Sequence, residues 1–261
     1  MSGVRTGLCG SLLRMAGAFR TLFFPEVCPV CGRPLPEGMT LLCPRCLLQL
    51  PRTGFCGRRG NEMEELFACL LPLVPDLRFQ VAAAFFYYKP ATPYTHLVTD
   101  LKYRHRRSMA RAVVEQMFRE NDPHFLFPQG VDFVVPIPIH WQKRGKRGYN
   151  QSSYIARSIG RLLSAPVLER GVRRVENTPS QTALSHSRRF ENVEGAFRWK
   201  KAVAESLRGR HIVLVDDVVT TGATIASCAE ALCRALREEP LAPQSCEPVR
   251  VSVLSLGFSK G

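Results

Sequence analysis

The chain has 261 residues, enough for one large domain or for one domain with a small appendage. Apolar residues at 45% and charged residues at 22% exclude an intrinsically disordered chain, and no apolar run approaches the roughly 20 residues of a membrane span. Lys plus Arg number 36 against 22 acids, and the resulting +14 points to an anionic partner such as phosphate esters or nucleic acid.

The first 25 residues carry Leu8, Leu12, Met15, Phe19 and Leu22 at helical spacing, which predicts an amphipathic lead-in helix. Arg5, Arg14 and Arg20 interrupt any signal-peptide core, so a cytoplasmic protein is expected. Residues 26–78 are rich in Cys, Pro and Gly, and of ten cysteines seven precede residue 70. Cys28 and Cys31 form one Cys-x-x-Cys pair, and Cys43 and Cys46 form another eleven residues on. Two such knuckles supply four thiolates for one closed tetrahedral zinc site. Cys56 and Cys69 lack partners three residues on, so they are assigned no metal role. Cys9, Cys228, Cys233 and Cys246 read as helix or loop residues, and His105, His140 and His186 as surface residues of basic loops.

From residue 79 to 261 apolar strands alternate with helical patterns. Strands are predicted at 81–88, 131–139, 211–217 and 248–258, one or two helices with a basic centre over 95–120, and helices at 149–164 and 224–239. This alternation implies an α/β fold, with a mostly parallel sheet and helices on both faces.

The chemistry concentrates in "VLVDDVVTTGATI", residues 213–225. Ligands of such sheets bind at the carboxyl ends of strands. Here a strand ends in Asp216 and Asp217, and Thr220, Thr221, Gly222, Ala223 and Thr224 lead into a helix. Unpaired amides at a helix start favour a phosphate, and no Gly-Lys-Ser/Thr follows to make a Walker loop. The two carboxylates suit sugar hydroxyls or water on Mg²⁺. One small molecule satisfies both halves, a ribose 5-phosphate.

The full pattern resembles the phosphoribosyl pyrophosphate signature of type I phosphoribosyltransferases. "VPIPIHWQKRGKRGYNQ" (135–151), "NTPSQTALSHSRRFENVEGAF" (177–197), "LKYR" (101–104) and the amino-terminal cysteines resemble the competence protein F (ComF) family over almost the whole chain. That likeness implies a type I phosphoribosyltransferase-like core behind an N-terminal zinc ribbon. It assigns Asp216 and Asp217 to ribose hydroxyls and residues 220–224 to the 5-phosphate, and sets the loop after Val135 and Pro136 facing pyrophosphate. Lys102, Arg104, Arg147, Asn150, Gln181, Arg189 and Asn192 match family motif positions. Of these, Lys102 and Arg147 are expected to serve catalysis beside the two aspartates, and Arg104 and Asn150 to contact the donor.

Three readings of function stand at this point. The first is transfer of phosphoribosyl from the pyrophosphate, with Mg²⁺, to an acceptor the sequence does not name. The second, implied by the family, is handling of single-stranded DNA together with DNA-uptake proteins, with Tyr103, Trp141 and Tyr149 as stacking residues. The third is sensing of the donor without transfer.

Overall fold

The computed structural model describes residues 26–71, 76–103, 107–175, 195–237 and 247–260. The expected lead-in helix, Cys9, Arg104, His105, Gln181, His186, Arg189, Asn192 and Cys246 lie outside these residues. The chain divides into two compact units between Leu50 and Pro51. The segment that follows Pro51, which composition groups with the cysteine-rich part, therefore belongs to the second unit.

In the first unit Val27 bridges Pro34, and the Cys28 amide donates to the Arg33 carbonyl at 2.8 Å. Gly32 closes this knuckle with φ 72°, a conformation that favours glycine. Helix α1 (Pro44–Leu48) follows, with Cys43 at its N-cap and Pro44 in its first turn, where a missing amide costs nothing.

The second unit opens with a 3₁₀ turn (Phe55–Gly57) and helix α2 (Glu62–Leu70). Asn61 caps α2 by accepting from the amides of Met63 and Glu64, both at 3.0 Å. Its amide group donates to the Ala82 carbonyl at 3.0 Å, which ties the helix to strand β1 (Leu77–Tyr87). Helices α3 (His96–Tyr103), α4 (Arg107–Glu120) and α5 (Pro123–Leu126) lead to strand β2 (Phe133–Pro136). Helices α6 (Trp141–Arg147) and α7 (Gln151–Leu162) come next. A short antiparallel ribbon follows, β3 (Val172–Arg174) with β4 (Phe197–Trp199), then helix α8 (Lys201–Ser206). Strand β5 (His211–Val219), helix α9 (Ala223–Arg237) and strand β6 (Val249–Phe258) complete the order.

The main sheet has strand order β1-β6-β5-β2, with every pairing parallel. Val81 through Phe86 and Val251 through Phe258 are buried without alternation, as strands covered on both faces must be. The outer edge of β1 is not left open. Tyr87 donates to the Pro51 carbonyl at 2.7 Å and Thr53 to the Phe85 carbonyl at 3.1 Å, so residues 51–53 shield that edge. Helix α7 packs against β2 and β5, and α2 against β1.

Candidate functional site

Two groupings of chemistry emerge, one in each unit. In the first, the sulfurs of Cys28, Cys31, Cys43 and Cys46 lie within 4.8 Å of one another, and Cys31 and Cys43 Sγ are 3.7 Å apart. A tetrahedron with metal–sulfur bonds of about 2.3 Å has edges near 3.8 Å, so the spread matches one ion. Burial raises the Cys28 thiol, but amides of Cys43, Cys31 and Val30 and the Cys31 side chain outweigh it and bring the group to about 7. Cys46 moves the other way, pushed up by burial and by the three neighbouring thiols. A cluster that loses its first proton easily and the next with difficulty is one whose accumulating charge a divalent cation would neutralise.

Among the other cysteines, Cys56, Cys228 and Cys233 are buried, and burial pushes each thiol to about 12; Cys69 is exposed. His140 departs from expectation. It is 4% exposed and accepts from the Gln142 amide at 3.3 Å, so it caps α6 rather than lying in a surface loop.

In the second unit β5 delivers Asp216 and Asp217 beside the start of α7. Ser152 Oγ donates to Asp216 Oδ1 at 3.0 Å, and Gln151 Nε2 to Asp217 Oδ2 at 3.3 Å. Backbone amides add to this, Asp217 N to Asp216 Oδ1 and Val218 N to Asp217 Oδ1, each at 2.8 Å. Arg147 Nη1 donates in turn to Gln151 Oε1 at 3.5 Å, placing the arginine one side chain away from Asp217. Asn150 works locally: its amide group donates to the Ile137 carbonyl at 3.0 Å, and its oxygen accepts from Ser152 N at 3.3 Å. The loop after β2 is thereby fastened to the α7 cap. Tyr149 is buried and its hydroxyl donates to the Leu101 carbonyl, so the end of α3, where Lys102 lies, is held to the same loop.

Gln151 and Ser152 are the residues that sequence reasoning did not single out as ligands of the acids. Their signal was present in the run "RGYNQS", but only the fold reveals that the α7 start abuts the end of β5.

Beyond Val219 the chain turns through Thr220 to Gly222 into α9. None of the amides of residues 220–224 donates to a backbone carbonyl among the described residues, whereas Ile225 and Ala226 donate to the Gly222 carbonyl at 3.1 and 3.0 Å. Five successive amides stand ready for an anion. Gly222 has φ 74°, and a Cβ there would lie 2.7 Å from Leu70 and 3.2 Å from Phe67. The crowding that demands glycine comes from helix α2.

The chain's relatives bear on this geometry. No family model matches. The chain is 33% identical over 215 residues to the DNA utilization protein YhgH of Escherichia coli K12, covering 80% of this chain and 84% of that one. The chain belongs to the ComF family. Haemophilus influenzae competence protein F is 27% identical over 216 residues, covering 80% and 92%. Among solved structures, one titled the allosteric regulatory enzyme of purine biosynthesis matches with TM-score 0.35 and 15% identity, over 60% of this chain and 29% of its own. The parallel α/β sheet and the four-cysteine unit agree with the phosphoribosyltransferase-like core and zinc ribbon expected from the family motifs. No helix among the described residues is long and apolar enough to cross a membrane.

Proposed function

We propose that β5, the loop after it and the start of α9 bind phosphoribosyl pyrophosphate, and that the protein transfers the phosphoribosyl group to an acceptor. The observation that carries this reading is the sequence of two held carboxylates followed by five amides without a backbone partner. Amides 220–224 take the 5-phosphate and the carboxylates of Asp216 and Asp217 take the ribose hydroxyls. In the reaction the bond from the anomeric carbon to pyrophosphate breaks with both electrons leaving on pyrophosphate. The acceptor's nucleophilic atom forms the new bond and gives its proton to solvent. Arg147 and Lys102 stabilise the departing charge, Arg147 with the fork geometry that suits pyrophosphate oxygens. Mg²⁺, when bound with the donor, supplies further charge neutralisation. Zn²⁺ on Cys28, Cys31, Cys43 and Cys46 is structural, because a closed four-thiolate set leaves no open position.

Calorimetric titration of phosphoribosyl pyrophosphate, with and without Mg²⁺, tests the donor site. Binding that needs Mg²⁺ and disappears in the Asp216→Ala, Asp217→Ala protein is expected. Undiminished binding in that variant removes the assignment.

A role in DNA uptake is the second reading, favoured by the names of the relatives and by the +14 charge. Trp141, 68% exposed, is positioned to stack on a base; Tyr149 is not, being buried with its hydroxyl engaged. A steep fall of oligonucleotide affinity with salt is the expected signature.

A further inference from the structure

The four-sulfur cluster of the first unit is unevenly shielded. Cys28, Cys43 and Cys46 are 0%, 7% and 4% exposed, whereas Cys31 is an exposed residue. The local fold explains the difference. The Cys28 amide donates to the Arg33 carbonyl and the Gly32 amide to the Cys28 carbonyl, both at 2.8 Å, so the turn encloses Cys28. Cys31 begins an exposed run that extends through residue 34. Cys43 and Cys46 are held at the N-cap and within the first turn of α1, and both are buried.

Exposure alone does not make a cysteine reactive; thiolate character and a second thiol within reach do. Cys31 has both. A thiol that coordinates a metal ion is deprotonated outright, and Cys31 Sγ stands 3.7 Å from Cys43 Sγ. Arg33 and Arg45, each two residues beyond one of these cysteines, are exposed, and residues 38–50 and 27–36 contain no acid, so the side-chain field around the cluster is positive. No other cysteine among the described residues combines these features. Cys56, Cys228 and Cys233 are buried, and burial pushes each thiol to about 12, which keeps them protonated. Cys69 is exposed but stands outside the group of four sulfurs.

We propose that Cys31 is an oxidation site, at which hydrogen peroxide joins its sulfur to that of Cys43 and thereby releases the zinc ion from the first unit. This rests on the zinc assignment above and is independent of the donor site. The Cys31 thiolate attacks one peroxide oxygen, the O–O bond breaks, hydroxide leaves, and a sulfenic acid remains on Cys31. The Cys43 thiolate then attacks the Cys31 sulfur; the S–S bond forms, the S–O bond breaks and a second hydroxide leaves. Both hydroxides take protons from solvent to give two waters, and the two electrons lost by the sulfurs reduce the peroxide. The sulfurs must close from 3.7 Å to about 2.05 Å, a movement that falls on the exposed turn at 31–34 rather than on packed core. With two of four thiolates consumed, Cys28 and Cys46 no longer make a closed tetrahedral site.

The test uses the full-length chain, its zinc content measured first. Hydrogen peroxide is then added with a chromophoric chelator that reports freed metal, and the disulfides are mapped by mass spectrometry after alkylation. Release of the bound zinc is expected together with a Cys31–Cys43 disulfide, while Cys56, Cys228 and Cys233 stay reduced. Thiol reductant followed by Zn²⁺ should restore the metal. Cys31→His keeps a site of three thiolates and one imidazole, and is expected to release zinc about tenfold more slowly. Cys9→Ser, Cys69→Ser, Cys246→Ser protein should release it at the wild-type rate. A chain that holds no zinc before treatment removes the metal assignment and the proposal with it. Zinc retained at peroxide doses that oxidise Cys69 overturns the proposal alone. So does a first disulfide other than Cys31–Cys43, or release from Cys31→His at the wild-type rate. Should Cys31→His fail to bind zinc, the disulfide map of the wild-type chain decides.

Discussion

Gly222 shows how a single residue serves both fold and site. Its positive φ puts it in a region that side chains avoid, and the space where a Cβ would sit is already taken by Leu70 and Phe67. Gly222→Ala is therefore expected to cost about 1–3 kcal/mol in denaturant unfolding and to weaken phosphoribosyl pyrophosphate binding at least tenfold. The sequence signals the glycine, but it does not signal that α2 is what crowds it. Ser152 and Gln151 act one step further out, each donating to one carboxylate. Removing either donor in Ser152→Ala or Gln151→Ala should weaken donor binding about tenfold, the equivalent of roughly 1.5 kcal/mol for a hydrogen bond to a charged group. Calorimetry that finds affinity unchanged in both variants would show that the acids keep their orientation without them. Neither residue is legible as a partner of the acids from the sequence, since 64 positions separate Ser152 from Asp216.

At the scale of elements, β5 is anchored at its start as firmly as it is loaded at its end. His211 Nδ1 lies 2.7 Å from the Gly130 carbonyl, and since a carbonyl only accepts, that nitrogen carries the proton. Nε2 then accepts from the Ser252 hydroxyl at 2.8 Å. Burial, chiefly, holds the imidazole below its ordinary range, helped by Arg250 and opposed by the Gly130 carbonyl and Asp132. With the folded value depressed, the unfolded chain binds the proton more tightly. Stability from this group is thus complete above about pH 6.5 and is lost as pH falls below that value. Urea unfolding from pH 7.5 to 5 should decline by at most about 1.4 kcal/mol per pH unit from this one group, and His211→Gln should flatten the slope. The ribbon gives a prediction of opposite sign. Arg173→Thr relieves the like-charge pair with Arg198 and should raise stability by about 0.2–1 kcal/mol, read as an unfolding temperature higher by up to a few degrees.

Elements differ in how plainly the sequence announces them. β5, α9 and β6 fall within two residues of expectation because their apolar patterns are long and their ends are marked by acids, glycine or proline. Helix α7 begins at Gln151 rather than Tyr149, because Asn150 has become its cap and Tyr149 has turned inward. The strand expected at 131–139 pairs only from Phe133 to Pro136, where β5 provides a partner. β3 and β4 are each three residues long and lie too far apart in the chain for any periodicity to reveal them.

Over the whole molecule, the two compact units should respond differently to chelation. Stripping Zn²⁺, or Cys28→Ser, is expected to abolish amide protection across residues 26–50, because binding free energy of a four-thiolate site is largely folding free energy. The β5 and β6 amides should remain protected, since their core is hydrocarbon rather than metal. Hydrogen exchange followed by mass spectrometry separates the two responses; loss of protection in both units together would refute this. By itself the sequence determined the α/β class, the four-cysteine cluster and the strand–acid–loop–helix motif. Each is a local pattern, in which neighbouring residues carry the chemistry and the spacing. The tertiary structure alone decided that Gln151 and Ser152 meet the acids, that α2 crowds Gly222, and that Trp199 of β4 docks on the Cys228 carbonyl of α9. Those facts depend on which distant segments the sheet order β1-β6-β5-β2 brings together, and parallel strands joined by long crossovers leave no local record of their neighbours.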